Sequence, residues 1–249
     1  MMRRSAFVAL CAAFFFQPLA LFAQGTGCVL DNCADRKPAA SSLGNVGGPP
    51  RPQPSGPSRE GEFDFYVLAL SWSPGFCATG GNEKARAQCE PGANRNFVVH
   101  GLWPQYEQGF PQDCGSGNRQ PSRVSLDTAK DLYPDERLAR YEWRKHGVCA
   151  GKSPSDYFAD VRRARDAIIV PREFAAPRDD QTWAPVDIAR AFEGANPRLR
   201  PGMSAVECKG GILQEVRFCM TKDLREFRAC PEVARRTCRS KEVRVPAPL

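Results

Sequence analysis

The chain carries only two histidines in 249 residues, and both stand in unusual company. His100 closes an apolar run and opens His100-Gly101-Leu102-Trp103-Pro104. His146 lies in Glu142-Trp143-Arg144-Lys145-His146-Gly147. If this second segment is helical, Glu142 precedes Lys145 by three residues and His146 by four. That spacing predicts a carboxylate, an ammonium and an imidazole on one helix face, with Gly147 ending the helix. Two imidazoles with a lysine and a glutamate suit one reaction well, the cleavage of RNA without a metal. One imidazole removes the proton of a ribose 2′-hydroxyl, the other protonates the departing 5′-oxygen, and a cation steadies the charge on phosphorus. Imidazole serves both roles because its ordinary pKa of about 6.5 makes either form accessible near neutrality. Each such proton transfer contributes on the order of 10²–10⁴-fold. Taken singly, each feature has a plainer reading. A histidine near a strand end is usually structural, and a Glu/Lys pair at helical spacing is usually a solvated ion pair worth about 0.2–0.5 kcal/mol. Trp103 and Trp143 suit a core equally well. The joint occurrence of both segments favours the chemical reading.

The elements that must position these groups read as mixed α and β. Residues 63–71 are rich in aromatic and aliphatic side chains and predict a strand, and residues 96–100 predict a second, buried one. Pro134 and Asp135 precede the helix that would carry Glu142, Lys145 and His146. Ser153-Pro154-Ser155-Asp156 is a helix start, with Ser as N-cap, Pro in the first turn and Asp three residues on. Tyr157, Val161, Ala164 and Ile168 then keep helical spacing. A further helix follows Pro185, with Ile188, Ala191 and Phe192 on one face. Residues 211–220 and 241–245 read as strands again. Strands mixed with helices, without a regular βαβ repeat, predict an α+β fold.

The N-terminus bears on the compartment. Met1-Met2-Arg3-Arg4 is a short basic stretch, residues 6–22 are apolar apart from Gln17 and Pro18, and Ala23 offers a small residue before a cut. Residues 1–23 are therefore expected to be a signal peptide, giving a secreted or periplasmic protein with no membrane association. Cleavage removes Cys11, Arg3 and Arg4, which leaves ten of the eleven cysteines and takes the net charge from +7 to +5. An even cysteine count in an oxidising compartment predicts disulfides. Residues 24–61 are expected to be largely disordered, because residues 36–61 are dominated by Pro, Gly and Ser and lack apolar periodicity. Residues 62–249 remain as the catalytic domain. The positive balance favours an anionic partner, although the arginine runs at 162–165 and 235–239 read as solvated faces.

At Phe97-Val-Val-His100-Gly-Leu-Trp-Pro104 and Glu142-Trp-Arg-Lys145-His146-Gly-Val-Cys149 the sequence resembles the ribonuclease T2 family of secreted, metal-independent RNA-cleaving enzymes. Leu70-Ser-Trp-Ser-Pro-Gly-Phe-Cys77 resembles that family's first strand and following turn. The resemblance spans roughly residues 63–238. It implies a central, mainly antiparallel sheet flanked by helices in a single disulfide-stabilised domain. It implies His146 as general base, His100 as general acid, and Lys145 and Glu142 as stabilisers of the pentacoordinate transition state. Products would be a 2′,3′-cyclic phosphate and a 5′-hydroxyl. The substrate would be single-stranded RNA; DNA lacks the attacking oxygen. A monomer without cofactor or metal is expected. Trp103 would offer a base-stacking surface. Two positions depart from the common pattern. Tyr141 stands where many members carry a third histidine, and Gln105 where several carry an aspartate, so both are candidate substrate contacts of altered character. The resemblance further implies the pairs Cys77–Cys89, Cys114–Cys149, Cys208–Cys238 and Cys219–Cys230, with Cys28–Cys33 left over outside the family core.

A catalytically silent RNA-binding or adhesion module on the same fold is the principal alternative. The retention of His100, Glu142, Lys145 and His146 together argues against it. A serine hydrolase or a zinc protease lacks its motif: no Gly-x-Ser-x-Gly and no His-Glu-x-x-His occurs.

Overall fold

A computed structural model of the chain describes residues 58–248 except 84, 113 and 116–119. The expected signal peptide, nearly all of the 24–61 segment and the Cys28–Cys33 pair lie outside the described residues.

The strand β1 (Phe65–Trp72) is apolar except for Ser71, and all eight residues are buried, which only a central strand with both faces covered can satisfy. It is followed at once by α1 (Ser73–Ala78) and then by β2 (Phe97–Gln105). The helices α2 (Arg123–Thr128), α3 (Glu136–Lys145), α4 (Pro154–Asp166) and α5 (Arg172–Ala175) come next. Then follow β3 (Gln181–Trp183), α6 (Pro185–Ala195), β4 (Ser204–Lys209), β5 (Ile212–Thr221), α7 (Pro231–Ala234) and β6 (Val243–Val245). The strands form one sheet in the order β2-β1-β5-β6-β3, with β4 also on β5. Pairing is antiparallel throughout, apart from a single parallel link of β5 to β6 at Ile212 and Arg244. This is the mainly antiparallel α+β domain expected.

The core lies between one face of this sheet and the helices. Trp72, Tyr66, Tyr157, Phe158, Phe174, Phe192 and Phe218 are fully buried there with the aliphatic side chains of β1, α4 and α6. Complete burial of each large apolar side chain stabilises by about 1.5–3 kcal/mol. A smaller cluster of Phe65, Val67, Ala205, Cys219, Cys230 and Val233 covers part of the opposite face, beside Trp103.

Capping chemistry sets the two helices nearest the site. Asp135 accepts from the Leu138 amide at 3.0 Å and starts α3, and Ser153 accepts from the Asp156 amide at 3.2 Å and starts α4 with Pro154 in the first turn. Buried Trp143 of α3 meets Tyr157 of α4 at 5.7 Å between ring centres. The Tyr157 hydroxyl donates to the Leu102 carbonyl at 2.9 Å, tying α4 to β2. Disulfides join Cys77 to Cys89, Cys114 to Cys149, Cys208 to Cys238 and Cys219 to Cys230. These are the four expected pairs of the domain. Among the described residues no helix is long and apolar enough to cross a membrane.

The structure departs from the sequence reading in several places; the short elements α2, α5, β3 and α7 were not anticipated. The strand expected at residues 96–100 continues to Gln105 through His100 and Trp103. The helix expected to include His146 stops at Lys145, and His146 is its C-cap with φ −129° and ψ −41°. Finally β4 was not anticipated; it forms a hairpin with β5 across Gly210 and Gly211, whose φ values of 57° and 74° suit a two-residue turn that glycine makes without strain.

Candidate active site

The site begins with an irregularity in β2. Ala69 of β1 pairs with Gly101, but Leu70 pairs with Val99, so His100 is an extra residue bulged out of the ladder. A bulge places two successive residues on one face. His100 therefore shares a face with Gly101 and Trp103, opposite the core face that Val99 and Leu102 occupy. On the same face of β5 stand Glu215 and Arg217, and on β4 Glu207, which pairs with Glu215. Between β2 and β5, β1 contributes only Ala69 and Ser71 here. These small side chains let the long ones of β2 and β5 meet above them.

A chain of charges results. His100 Nδ1 contacts Glu215 Oε1. Arg217 donates from Nε and Nη2 to Glu215 Oε2 at 3.0 and 2.9 Å. Its Nη1 reaches Glu207 Oε1 at 2.5 Å. The guanidinium lies 4.9 Å from the centre of the Trp103 ring. Trp103 Nε1 donates to Glu142 Oε2 at 2.8 Å, while Glu142 Oε1 is 3.8 Å from His100 Nε2. Glu142 arrives from α3, which packs beside β2, and its side chain is only 1% exposed. Its Oε1 makes no hydrogen bond, an expensive state for a buried oxygen.

His146 follows Glu142 by one turn, and its amide donates to the Glu142 carbonyl at 2.9 Å. Its ring is 5.4 Å from Trp103, and the ring of His100 is 5.2 Å from the same indole. Trp103 thus spaces the two imidazoles. Lys145 is exposed. With Arg144, His146, Phe110 and Gln112 it lines a cleft of about 360 Å³.

The surroundings drive the two imidazoles apart in charge. Burial, the largest influence on His100, would lower its pKa, but the charge and hydrogen bond of Glu215 and the charge of Glu142 outweigh burial and Arg217 and raise it to about 9. His146 is lowered to about 3 by burial, then by the positive charges of His100 and Lys145. Burial pushes Glu142 up to about 7, against the pull of His100 and the Trp103 hydrogen bond. Burial would raise Glu215 as well, but His100 and Arg217 hold it well below the usual carboxylate range. Near neutrality these surroundings favour a charged His100 and a neutral His146.

The structure brings His100, Glu142, His146 and Trp103 together and leaves Lys145 at the cleft. Glu142 and Lys145 do not share a face as the spacing predicted, since Glu142 turns inward and Lys145 toward solvent. Gln105 lies farther along β2 on the Trp103 face, donating to the Pro104 carbonyl at 3.0 Å. Tyr141 is exposed, one turn before Lys145. Sequence reasoning missed Glu215, Arg217 and Glu207. Their signal was the alternation Glu215-Val-Arg217-Phe in a strand, together with the Gly210-Gly211 turn that sets Glu207 opposite Glu215.

Comparison with known proteins bears on this arrangement. The profile of the Ribonuclease T2 family matches residues 63–230. A ribonuclease of Aeromonas hydrophila is 41% identical over 183 residues, covering 69% of this chain and 78% of that protein. Among solved structures, an RNase-related protein from Calystegia sepium superposes with a TM-score of 0.60 at 19% identity, over 76% of this chain and 99% of its own. RNase NT in complex with 5′-AMP superposes with a TM-score of 0.55 at 22% identity, over 75% and 99%.

Proposed function

This chain belongs to the ribonuclease T2 family and is an endoribonuclease, and on that premise we propose that it cleaves single-stranded RNA by transphosphorylation, with His146 as base and His100 as acid. The observation that carries the assignment of roles is the placing of both imidazoles against Trp103, with Glu215 in contact with His100 only, which favours a charged His100 and a neutral His146. Neutral His146 takes the proton of the 2′-hydroxyl, and that oxygen forms a bond to phosphorus. The bond from phosphorus to the 5′-oxygen breaks as charged His100 passes its proton to that oxygen. The 2′,3′-cyclic phosphate and the 5′-hydroxyl end leave with all protons accounted for. DNA, without the 2′-oxygen, is not cleaved.

Lys145 supplies positive charge to the phosphoryl oxygens. Glu142, raised to about 7 by burial, is partly protonated near neutrality and can donate a hydrogen bond where a carboxylate would repel. The cleft beside His146, with Phe110 as an aromatic wall and Arg144 and Lys145 at its edge, takes a nucleotide next to the scissile bond. The complex of the similar RNase NT with 5′-AMP supports a nucleotide ligand. Trp103 and Gln105 contact the base side, and Tyr141 donates to phosphate where a third histidine is common. The N-terminal pattern of residues 1–23 and the four disulfides support secretion or periplasmic export.

The test is digestion of single-stranded RNA in EDTA with analysis of the new ends. Cyclic phosphate and 5′-hydroxyl ends are expected, and a His146→Ala variant should lose at least about 100-fold in rate. Uncut RNA, a need for divalent metal, or a fully active His146→Ala variant would contradict the mechanism.

A further inference from the structure

The proton-transfer account needs one ring nitrogen of His100 and leaves the other unexplained. Nδ1 faces Glu215 Oε1, and a carboxylate can only accept, so Nδ1 carries a hydrogen and Nε2, 3.8 Å from Glu142 Oε1, is the nitrogen left for proton transfer. Glu215 is itself held firmly. Its second oxygen accepts two donors from Arg217 at 2.9 and 3.0 Å, and Arg217 is held by Glu207. The Glu215 side chain is 12% exposed and that of Arg217 16%, so little water competes for these contacts. The arrangement needs four strands: the β2 bulge that turns His100 to this face, Ala69 and Ser71 of β1 below the contact, and the β4–β5 hairpin that sets Glu207 beside Arg217.

We propose that Glu215 is a positioning residue for His100: it fixes the ring through Nδ1 so that Nε2 points at the leaving oxygen, and it keeps the ring charged for its turn as acid. Arg217 and Glu207 hold Glu215 in place. The inference rests on the acid role given to His100 above. The groups facing His100 are Glu142 from α3 with His146 and Lys145 at its end, and Glu215 and Arg217 from β5, with Glu207 of β4 behind Arg217. Among the described carboxylates, Glu215 is the one in hydrogen-bond contact with the imidazole, and Glu142 stands farther off at 3.8 Å.

The test is Glu215→Gln, which keeps the shape and removes the charge. Two substrates separate positioning from structure. Uridylyl-3′,5′-adenosine has an alkoxide leaving group that needs a proton, whereas uridine 3′-(4-nitrophenyl phosphate) releases a phenolate that does not. The variant is expected to lose about 100-fold in kcat on the dinucleotide, with a loss about tenfold smaller on the aryl ester. The alkaline limb of its pH profile should move to lower pH, since removing the carboxylate leaves Arg217 to repel the imidazolium. Equal losses on both substrates, or an unmoved alkaline limb, would overturn the proposal. If Glu215→Gln does not fold, Glu215→Asp should show the same selective loss in smaller measure, and equal losses there overturn it too. A wild-type enzyme that leaves both esters intact defeats the ribonuclease mechanism itself, and this inference with it.

Discussion

At the scale of residues, the site depends as much on what is small as on what is charged. Gly101 stands between the two halves of the machinery. A Cβ there would lie 2.1 Å from Glu142 Oε2 and 2.2 Å from Trp103 Nε1, so any side chain would break the bond that fixes Glu142 and the indole between the imidazoles. Gly101→Ala is expected to cost about 1–3 kcal/mol in stability and, because misplacing a catalytic group by about 1 Å costs on the order of 100-fold, at least about tenfold in kcat. Thermal unfolding and steady-state kinetics of the same preparation check both. An Ala variant with wild-type kcat would show that the Trp103–Glu142 bond is dispensable. The meeting of His100, Glu142 and His146 was legible in the sequence because they cluster in two short segments, whereas the face expected to be shared by Glu142 and Lys145 was not formed. Glu215 and Arg217 were not legible, because alternation in a strand describes any half-exposed sheet face. Only the packing of β1 between β2 and β5 reveals what they touch.

At the scale of elements, legibility followed capping. Asp135 and Ser153 announce α3 and α4 through side chains that satisfy amides locally. The bulge at His100 and the β4–β5 hairpin depend on partners distant in sequence and left weaker traces. The C-terminal end of α3 is a place where element and function meet. His146 caps the helix, and Cys149, three residues on, is bound to Cys114 beside the cleft. That bridge ties the chain leaving α3 to the loop that carries Phe110 and Gln112. Replacing both cysteines by alanine is expected to lower stability by about 2–4 kcal/mol. It should raise KM more than it lowers kcat, because the loop loosens while the imidazoles keep their strand and helix anchors. Denaturant unfolding and kinetics on a dinucleotide read the two effects. An unchanged KM would mean that the cleft does not bind substrate.

At the scale of the whole molecule, the general architecture was legible as α+β, and the four disulfides of the domain followed from the family resemblance. The strand order was not, because antiparallel partners are chosen by packing that no local segment encodes. The two histidines show what assembly adds. In an unfolded chain both imidazoles titrate near the ordinary value of about 6.5. Each then comes from a different element, and only the closed fold sets Glu215 against one and buries the other near two positive charges. The direct test is an NMR pH titration of the folded protein, in which two histidines give two assignable ring signals. The account predicts His100 titrating near 9 and His146 near 3, so that acid and base coexist in their working forms across the neutral range. Both rings titrating near 6.5, or the two values exchanged, would contradict it.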